Sequence, residues 1–372
     1  MKWSLYLGKV SGVKLFIHWT FLILIAWILI SQLSQGVGLE ETLWTVFFVL
    51  AVFGCVTLHE LGHSFAAKNY GIETQNITLL PIGGVASLEK IPERPKEELV
   101  VALAGPMVNV VISVGLFMML LVLRPELNSL ELDNLNRENF LPNLMTVNLF
   151  LVIFNLLPAF PMDGGRVLRA LLSMKLPKVT ATRWAVGIGQ AFAIGFAFWG
   201  LFNNPLLILI GIFIFLGAQA ELGSTTTTSL LQGASVKDIV MKDYTPIHPT
   251  NSLSQAVEIL LNGQESHFVV MEKEEVVGTL SKASMIKGLQ MYGQNSPIDQ
   301  VMNHAIKKVH PSTPVEEALS YLSAEKYDLL LVYEEEVFHG IIDYENISEY
   351  MLVKSAISQS SPQKETSFSN PL

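Results

Sequence analysis

Apolar residues fill the first 221 positions in six long blocks, near residues 16–33, 43–67, 99–123, 141–174, 183–202 and 205–221. Between Arg183 and Glu221 there is no charged residue, and Asn203-Asn204-Pro205 divides that run into two stretches. Each stretch is close to the ~20 residues a helix needs to cross a bilayer. The first block lacks a small-residue cleavage site in a suitable place and reads as a retained span rather than a signal peptide. Beyond residue 230 the apolar runs shorten, as at 267–271 and 329–333, and alternate with charged segments. The pattern predicts about six helical spans followed by a solvated region.

Composition agrees with a chain that lives in two solvents. Half of the 372 residues are hydrophobic and only 15% are charged, against about 25% in ordinary soluble domains. Residues 1–230 carry 14 basic and 14 acidic groups, whereas residues 231–352 carry 8 and 18. The net charge of −9 therefore belongs to the C-terminal region, and it argues against a nucleic-acid partner. The single cysteine, Cys55, excludes a disulfide framework and any cysteine-rich metal site. Basic residues cluster at Lys2, Lys9 and Lys14, at Lys68, Lys90, Arg94 and Lys96, and at Arg166, Arg169, Lys175, Lys178 and Arg183; the alternate loops hold only Arg124 and Arg137. The positive-inside rule then puts both termini and the acidic region in the cytoplasm. The bilayer is that of a prokaryotic cell or of an organelle.

The second block ends in His59-Glu60-Leu61-Gly62-His63. Two histidines one helical turn apart face the same way and can share one Zn²⁺, with Glu60 as general base. Nine residues separate His59 from Lys68, which places the motif ~13 Å inside the span. Ionisable groups at such depth are costly and mark function by default; the competing reading is a buried polar helix contact. A catalytic zinc usually takes three protein ligands. The fourth block supplies a candidate, because Pro158 and Pro161 break it just before Asp163. Broken backbone survives at membrane depth only inside protein or along a cavity. Asp163 completes a two-histidine, one-aspartate set, unless it merely caps the helix over 167–174.

These two segments resemble the site-2 protease family of intramembrane zinc metalloproteases (peptidase family M50). The resemblance rests on His59-Glu60-Leu61-Gly62-His63 and on Asn155…Pro158…Pro161-Met162-Asp163-Gly164-Gly165-Arg166. Gly12 through His18-Trp19, Pro81-Ile82-Gly83-Gly84-Val85-Ala86 and Ala104-Gly105-Pro106…Asn109 extend it over residues 1–222. It implies that His59, His63 and Asp163 bind one zinc ion, that Glu60 is the catalytic acid/base and that Asn155 steadies the substrate carbonyl. A polar helix–helix contact is the alternative for Asn155. Residues 78–88 are apolar and glycine-punctuated, and read as a membrane-associated β hairpin. Its edge either pairs with an unwound substrate or closes a structural re-entrant loop. His18 reads as a packing or interface residue, and Cys55 as a small buried one. Gly105, Pro106 and Asn109 read equally as substrate contacts or helix packing.

The C-terminal region repeats with an offset of 62 residues: Pro249 matches Pro311, Ala256 matches Ala318, Leu260 matches Leu322 and Gly278 matches Gly340. It resembles a tandem of cystathionine-β-synthase-type (CBS) modules, which pair into a disc and often bind adenine nucleotides. The ribose-binding signature is incomplete in both copies, Ser281-Lys282-Ala283-Ser284 and Asp343-Tyr344-Glu345-Asn346. An adenine nucleotide and a dimerisation or substrate-docking role, including a homodimer, both stay open. The five histidines after 230 have no metal spacing.

The expected fold is thus a polytopic α-helical membrane protein of about six spans with a short β hairpin, plus a soluble α/β tandem CBS domain. The expected organisation is a protease domain over 1–222, a linker over 223–234, CBS modules over 235–292 and 296–352, and a disordered tail over 353–372. The function that the resemblance implies is that of an intramembrane zinc endopeptidase acting on single-span, membrane-tethered regulatory proteins, with the CBS pair serving regulation, docking or dimerisation. The alternatives are a CBS-regulated transporter or channel and a catalytically silent scaffold.

Overall fold

The computed structural model describes residues 4–81, 83–88, 92, 94–123, 139–263, 267–273, 275–323 and 327–360. They divide into two compact units, Met1–Thr225 and Thr226–Leu372. Lys2, Lys90, Arg124, Arg137 and the last twelve residues of the expected tail lie outside the described residues.

The first unit opens with a β hairpin that the hydrophobic pattern did not predict: β1 (Ser4–Val10) and β2 (Val13–His18). Ser11 and Gly12 form its turn, both at positive φ, as two-residue hairpin turns favour. α1 (Trp19–Ser34) and α2 (Leu39–Lys68) follow, then the expected hairpin of β3 (Thr74–Leu80) and β4 (Gly83–Leu88). β2 pairs in parallel with β3, giving one sheet of order β1-β2-β3-β4. Val13, Ile77 and Leu79 bury one face of it with Leu61 of α2. Sheet pairing therefore claims the start of the first apolar block, and His18 becomes the N-cap of α1, its Nδ1 accepting from the Thr20 amide.

Five more helices follow: α3 (Pro95–Leu123), α4 (Phe140–Asn155), α5 (Asp163–Ser173), α6 (Lys178–Phe202) and α7 (Pro205–Leu231), the last of which runs six residues past Thr225. By length and composition α2, α3, α6 and α7 can cross a membrane; α1 and α4 are apolar but have 16 residues each. Arg169, counted as a cytoplasmic loop charge, is instead fully buried among Glu98, Glu221 and Thr225. The stretch expected as a polar linker, Thr225–Thr228 included, continues α7 to Leu231.

The second unit holds two three-stranded sheets, each with one parallel and one antiparallel pair. The first copy comprises β5 (Pro246–Ile247), α8 (Leu253–Asn262), β6 (His267–Glu272), β7 (Glu275–Ser281) and α9 (Lys282–Tyr292). The second comprises β8 (Lys308–Val309), α10 (Val315–Ser323), β9 (Leu330–Glu334), β10 (Val337–Ile342) and α11 (Tyr344–Ser360). α11 turns the first residues of the expected tail into helix. The segments that lead into each copy are exchanged: Val236 and Met241 bond to Thr313 and Ile341, and Ile298 and Asn303 bond to Asn251 and Thr279. A third apolar cluster of Val269, Val276, Leu329, Leu331 and Ile341 joins the copies. His248 with Thr250, and His310 with Ser312, make the same side-chain bond 62 residues apart.

His267 Nδ1 and Asp343 Oδ2, one from each copy, lie 3.0 Å apart. Burial alone favours a neutral imidazole, but the hydrogen bond and charge of Asp343 outweigh it and hold His267 above its ordinary value. Burial also opposes the Asp343 carboxylate, yet His267 and the Asn346 amide hold it below its ordinary value. The His267 contribution is complete below its ordinary value of 6.5 and is lost as pH rises through its raised folded value. The Asp343 contribution is complete above 3.8 and is lost as pH falls through its lowered folded value. Hydrogen-exchange protection of β6 and β10, corrected for intrinsic rates, should therefore fall as pH rises above 6.5, and His267→Gln should abolish that dependence.

Candidate metal centre

The site is assembled by α2, α3 and the start of α5. His59 and His63 face inward from α2, with 5–6% of their surface exposed, and Asp163, 8% exposed, is the first residue of α5. His59 Nε2, His63 Nε2 and Asp163 Oδ2 are mutually 3.2 Å apart. His63 Nδ1 donates to the Val101 carbonyl of α3 at 2.7 Å. A neutral His63 therefore presents a bare lone pair at Nε2, facing a carboxylate oxygen. Two acceptors that close need a cation or a shared proton between them. A tetrahedral ion with bonds of about 2.0 Å has ligand–ligand edges of about 3.3 Å. The three atoms thus fit three corners of a zinc site, with the fourth left for water or substrate. Among the described residues this is the one group of three or more His, Cys, Asp or Glu able to hold a metal.

Asp163 does not serve as a helix cap. The N-cap of α5 is Met162, without a side-chain cap bond, and the Asp163 carboxylate goes to the histidines. The break before it is buried in protein: Ala159 and Phe160 have no exposed surface and pack with Ala185, Val186 and Ala193 of α6 and with Ile214 and Ala218 of α7.

Two glycines admit the site's side chains. A Cβ on Gly105 of α3 would stand 2.2 Å from His63 Nε2 and 2.7 Å from His59 Nε2. A Cβ on Gly84 of β4 would stand 2.7 Å from Glu60 Cγ. Glu60 thus lies half-buried between the histidines and the terminal strand of the sheet. Asn155, at the end of α4, is not drawn into the set: its Nδ2 donates to Leu151 O of its own helix at 3.0 Å. Cys55 is buried one turn before His59 and accepts from Asn148 Nδ2 at 3.4 Å. Pattern reading missed the Val101 carbonyl, which has no side-chain signal, and undervalued Gly105, whose neighbourhood in Ala104-Gly105-Pro106 was the available hint.

The model of peptidase family M50 matches residues 47–136 and 128–196, and that of the CBS domain matches 236–290 and 298–353. The chain is 34% identical over 289 residues to the zinc metalloprotease MJ0392 of Methanocaldococcus jannaschii, covering 77% of this chain and 80% of that one. It is 32% identical over 174 residues to the stage IV sporulation protein FB of Bacillus subtilis, covering 46% of this chain and 56% of that one. The solved site-2 protease from Methanocaldococcus jannaschii is 37% identical, with a TM-score of 0.44, and the match covers 59% of this chain and 95% of that one. The chain belongs to peptidase family M50. It is a zinc metalloprotease with a CBS pair at its C-terminal end.

Gly105→Ala should expel the imidazoles rather than unfold α3, since the clashing atoms are ring atoms that can swing away. Zinc affinity, measured by chelator competition, should fall about 10–100-fold. Wild-type affinity would contradict the geometry.

Proposed function

We propose that this chain is an intramembrane endopeptidase that hydrolyses peptide bonds in transmembrane segments of single-span, membrane-tethered regulatory proteins. The observation that carries this reading is the buried triangle of His59, His63 and Asp163 with Glu60 beside it. His59, His63 and Asp163 would hold one zinc ion, which when bound supplies a Lewis acid that polarises a carbonyl and acidifies water. The Glu60 carboxylate takes a proton from the attacking water and hands it to the leaving amide nitrogen. Asn155 Nδ2, released from Leu151 O, donates to the substrate carbonyl as charge develops on it.

A helical substrate hides its peptide bonds and must unwind. Among the described residues β4 is the last strand of the sheet, and its Gly84 packs close to Glu60, which supports pairing of the strand's outer edge with an extended substrate. In this reading the domain makes six crossings. α1 and α4, each about 24 Å long at 1.5 Å per residue, meet a locally thinned bilayer. The basic clusters favour cytoplasmic termini and a cytoplasmic CBS pair. A second copy of the chain and an adenine nucleotide are the partners proposed for that pair. Ser281 and Asp343 spend their side chains capping α9 and α11, which favours docking or dimerisation. A transporter or channel would also carry a broken helix, but it has no use for converging acceptors beside an acid/base group.

Glu60→Gln should slow cleavage of a reconstituted transmembrane substrate by about 10²–10⁴-fold while leaving zinc stoichiometry at one per chain. Asn155→Leu should lower kcat by about 10²-fold with a smaller change in KM. Cleavage by Glu60→Gln at the wild-type rate would exclude the proposed mechanism.

A further inference from the structure

Six residues after Asp163, the side chain of Arg169 is completely buried. Its Nε donates to Glu98 Oε1 at 2.7 Å, and its Nη1 pairs with Glu221 and donates to Thr225 Oγ1 at 3.2 Å. The guanidinium also lies 5.0 Å from the centroid of the Phe160 ring. One cation thereby joins α5, α3, α7 and the break that precedes Asp163. A fully buried guanidinium shared by the buried Glu98 and the half-buried Glu221 is costly to desolvate, and apolar packing alone would not demand it.

The face of α3 explains the arrangement. Glu98, Val101 and Gly105 are spaced 0, 3 and 7, on one side of a helix. Val101 O holds His63 Nδ1, Gly105 admits both imidazoles, and Glu98 grips the helix that carries Asp163. The same helix face thus sets the histidines and anchors the third acceptor. A planar guanidinium can serve Glu98 and Glu221 together while its face covers Phe160, which a lysine ammonium cannot.

We propose that Arg169 and Glu98, completed by Glu221, are positioning residues of the metal centre. They lock α5 against α3 so that Asp163 Oδ2 stays 3.2 Å from both imidazole nitrogens. The inference rests on the reading of His59, His63 and Asp163 as zinc ligands. Arg169 and Glu98 act through helix placement and touch neither metal nor substrate.

The test uses the full chain in detergent, with zinc affinity from chelator competition, the visible spectrum of the cobalt-substituted protein, and thermal melting. Glu98→Gln and Arg169→Met should weaken zinc binding about 10–100-fold and shift the cobalt spectrum, with Arg169→Lys in between. Phe48→Ala, in a separate apolar cluster with Cys55 and Leu144, should lower the melting temperature but leave affinity and spectrum unchanged. If Glu98→Gln and Arg169→Lys only melt earlier, keeping the wild-type spectrum and affinity within about twofold, the network is merely structural and the inference fails. Should Glu98→Gln or Arg169→Met not fold, Arg169→Lys, which keeps the charge, decides. Asp163→Asn is the separate control: zinc binding as tight as wild type there overturns the ligand reading, and the inference with it.

Discussion

Hydrogen-bond acceptors that face one another in an apolar bundle repel unless a cation joins them, and this requirement organises the membrane unit. Val101 O commits the His63 proton to Nδ1, so His63 Nε2 turns a lone pair toward His59 Nε2 and Asp163 Oδ2. Convergence at 3.2 Å needs three helices placed to within a fraction of an ångström. α2 must bring its two imidazoles to one face, α3 must come close enough to leave no room for a Cβ at position 105, and a helix must begin at Asp163. Zinc, the metal of this family, meets that requirement with the ligand types present.

Starting a helix at Asp163 means stopping α4 at Asn155, deep among apolar residues. Unpaired backbone groups there would each cost several kcal/mol. The break limits that cost locally. Leu157 N bonds to Phe154 O, Ala159 N to Leu157 O, Met162 N to Ala159 O and Gly165 N to Met162 O. Pro158 and Pro161 have no N–H to satisfy. The prolines that read as helix breakers in the sequence are therefore also residues that leave no N–H to satisfy where the broken backbone is buried among the helices. The Arg169 network then closes the other side, pinning Phe160 and the first turns of α5.

The helical body, a hairpin over 78–88 and the grouping of His59, His63 and Asp163 were legible because each carries a short-range signal: apolar length, glycine spacing, or i,i+4 histidines and a proline break before an aspartate. What stayed hidden depends on partners far along the chain. β2 reads as the start of an apolar helix until β3, some sixty residues later, supplies its ladder. Arg169 reads as a loop charge until Glu98 and Glu221 are seen around it. Val101 acts through a carbonyl every residue possesses. Asn155 was matched by motif, yet its amide turns back on its own helix, because an asparagine near a helix end finds the carbonyl four residues earlier without help.

The repeat shows the same limit in another form. An offset of 62 residues reveals two equivalent copies but not which copy each leading segment packs on, because exchanging both preserves the periodicity. The structure exchanges them: Val236 is buried in the core of the second copy with Val315 and Ile342, and Ile298 in that of the first with Leu253 and Phe268. Neither core is complete without residues from the other half. The shared cluster around Val269 and Leu331 and the His267–Asp343 pair add further cross-links. Two modules joined in this way must open and close as one cooperative unit. A ligand or second chain engaging either copy therefore acts on the stability of both.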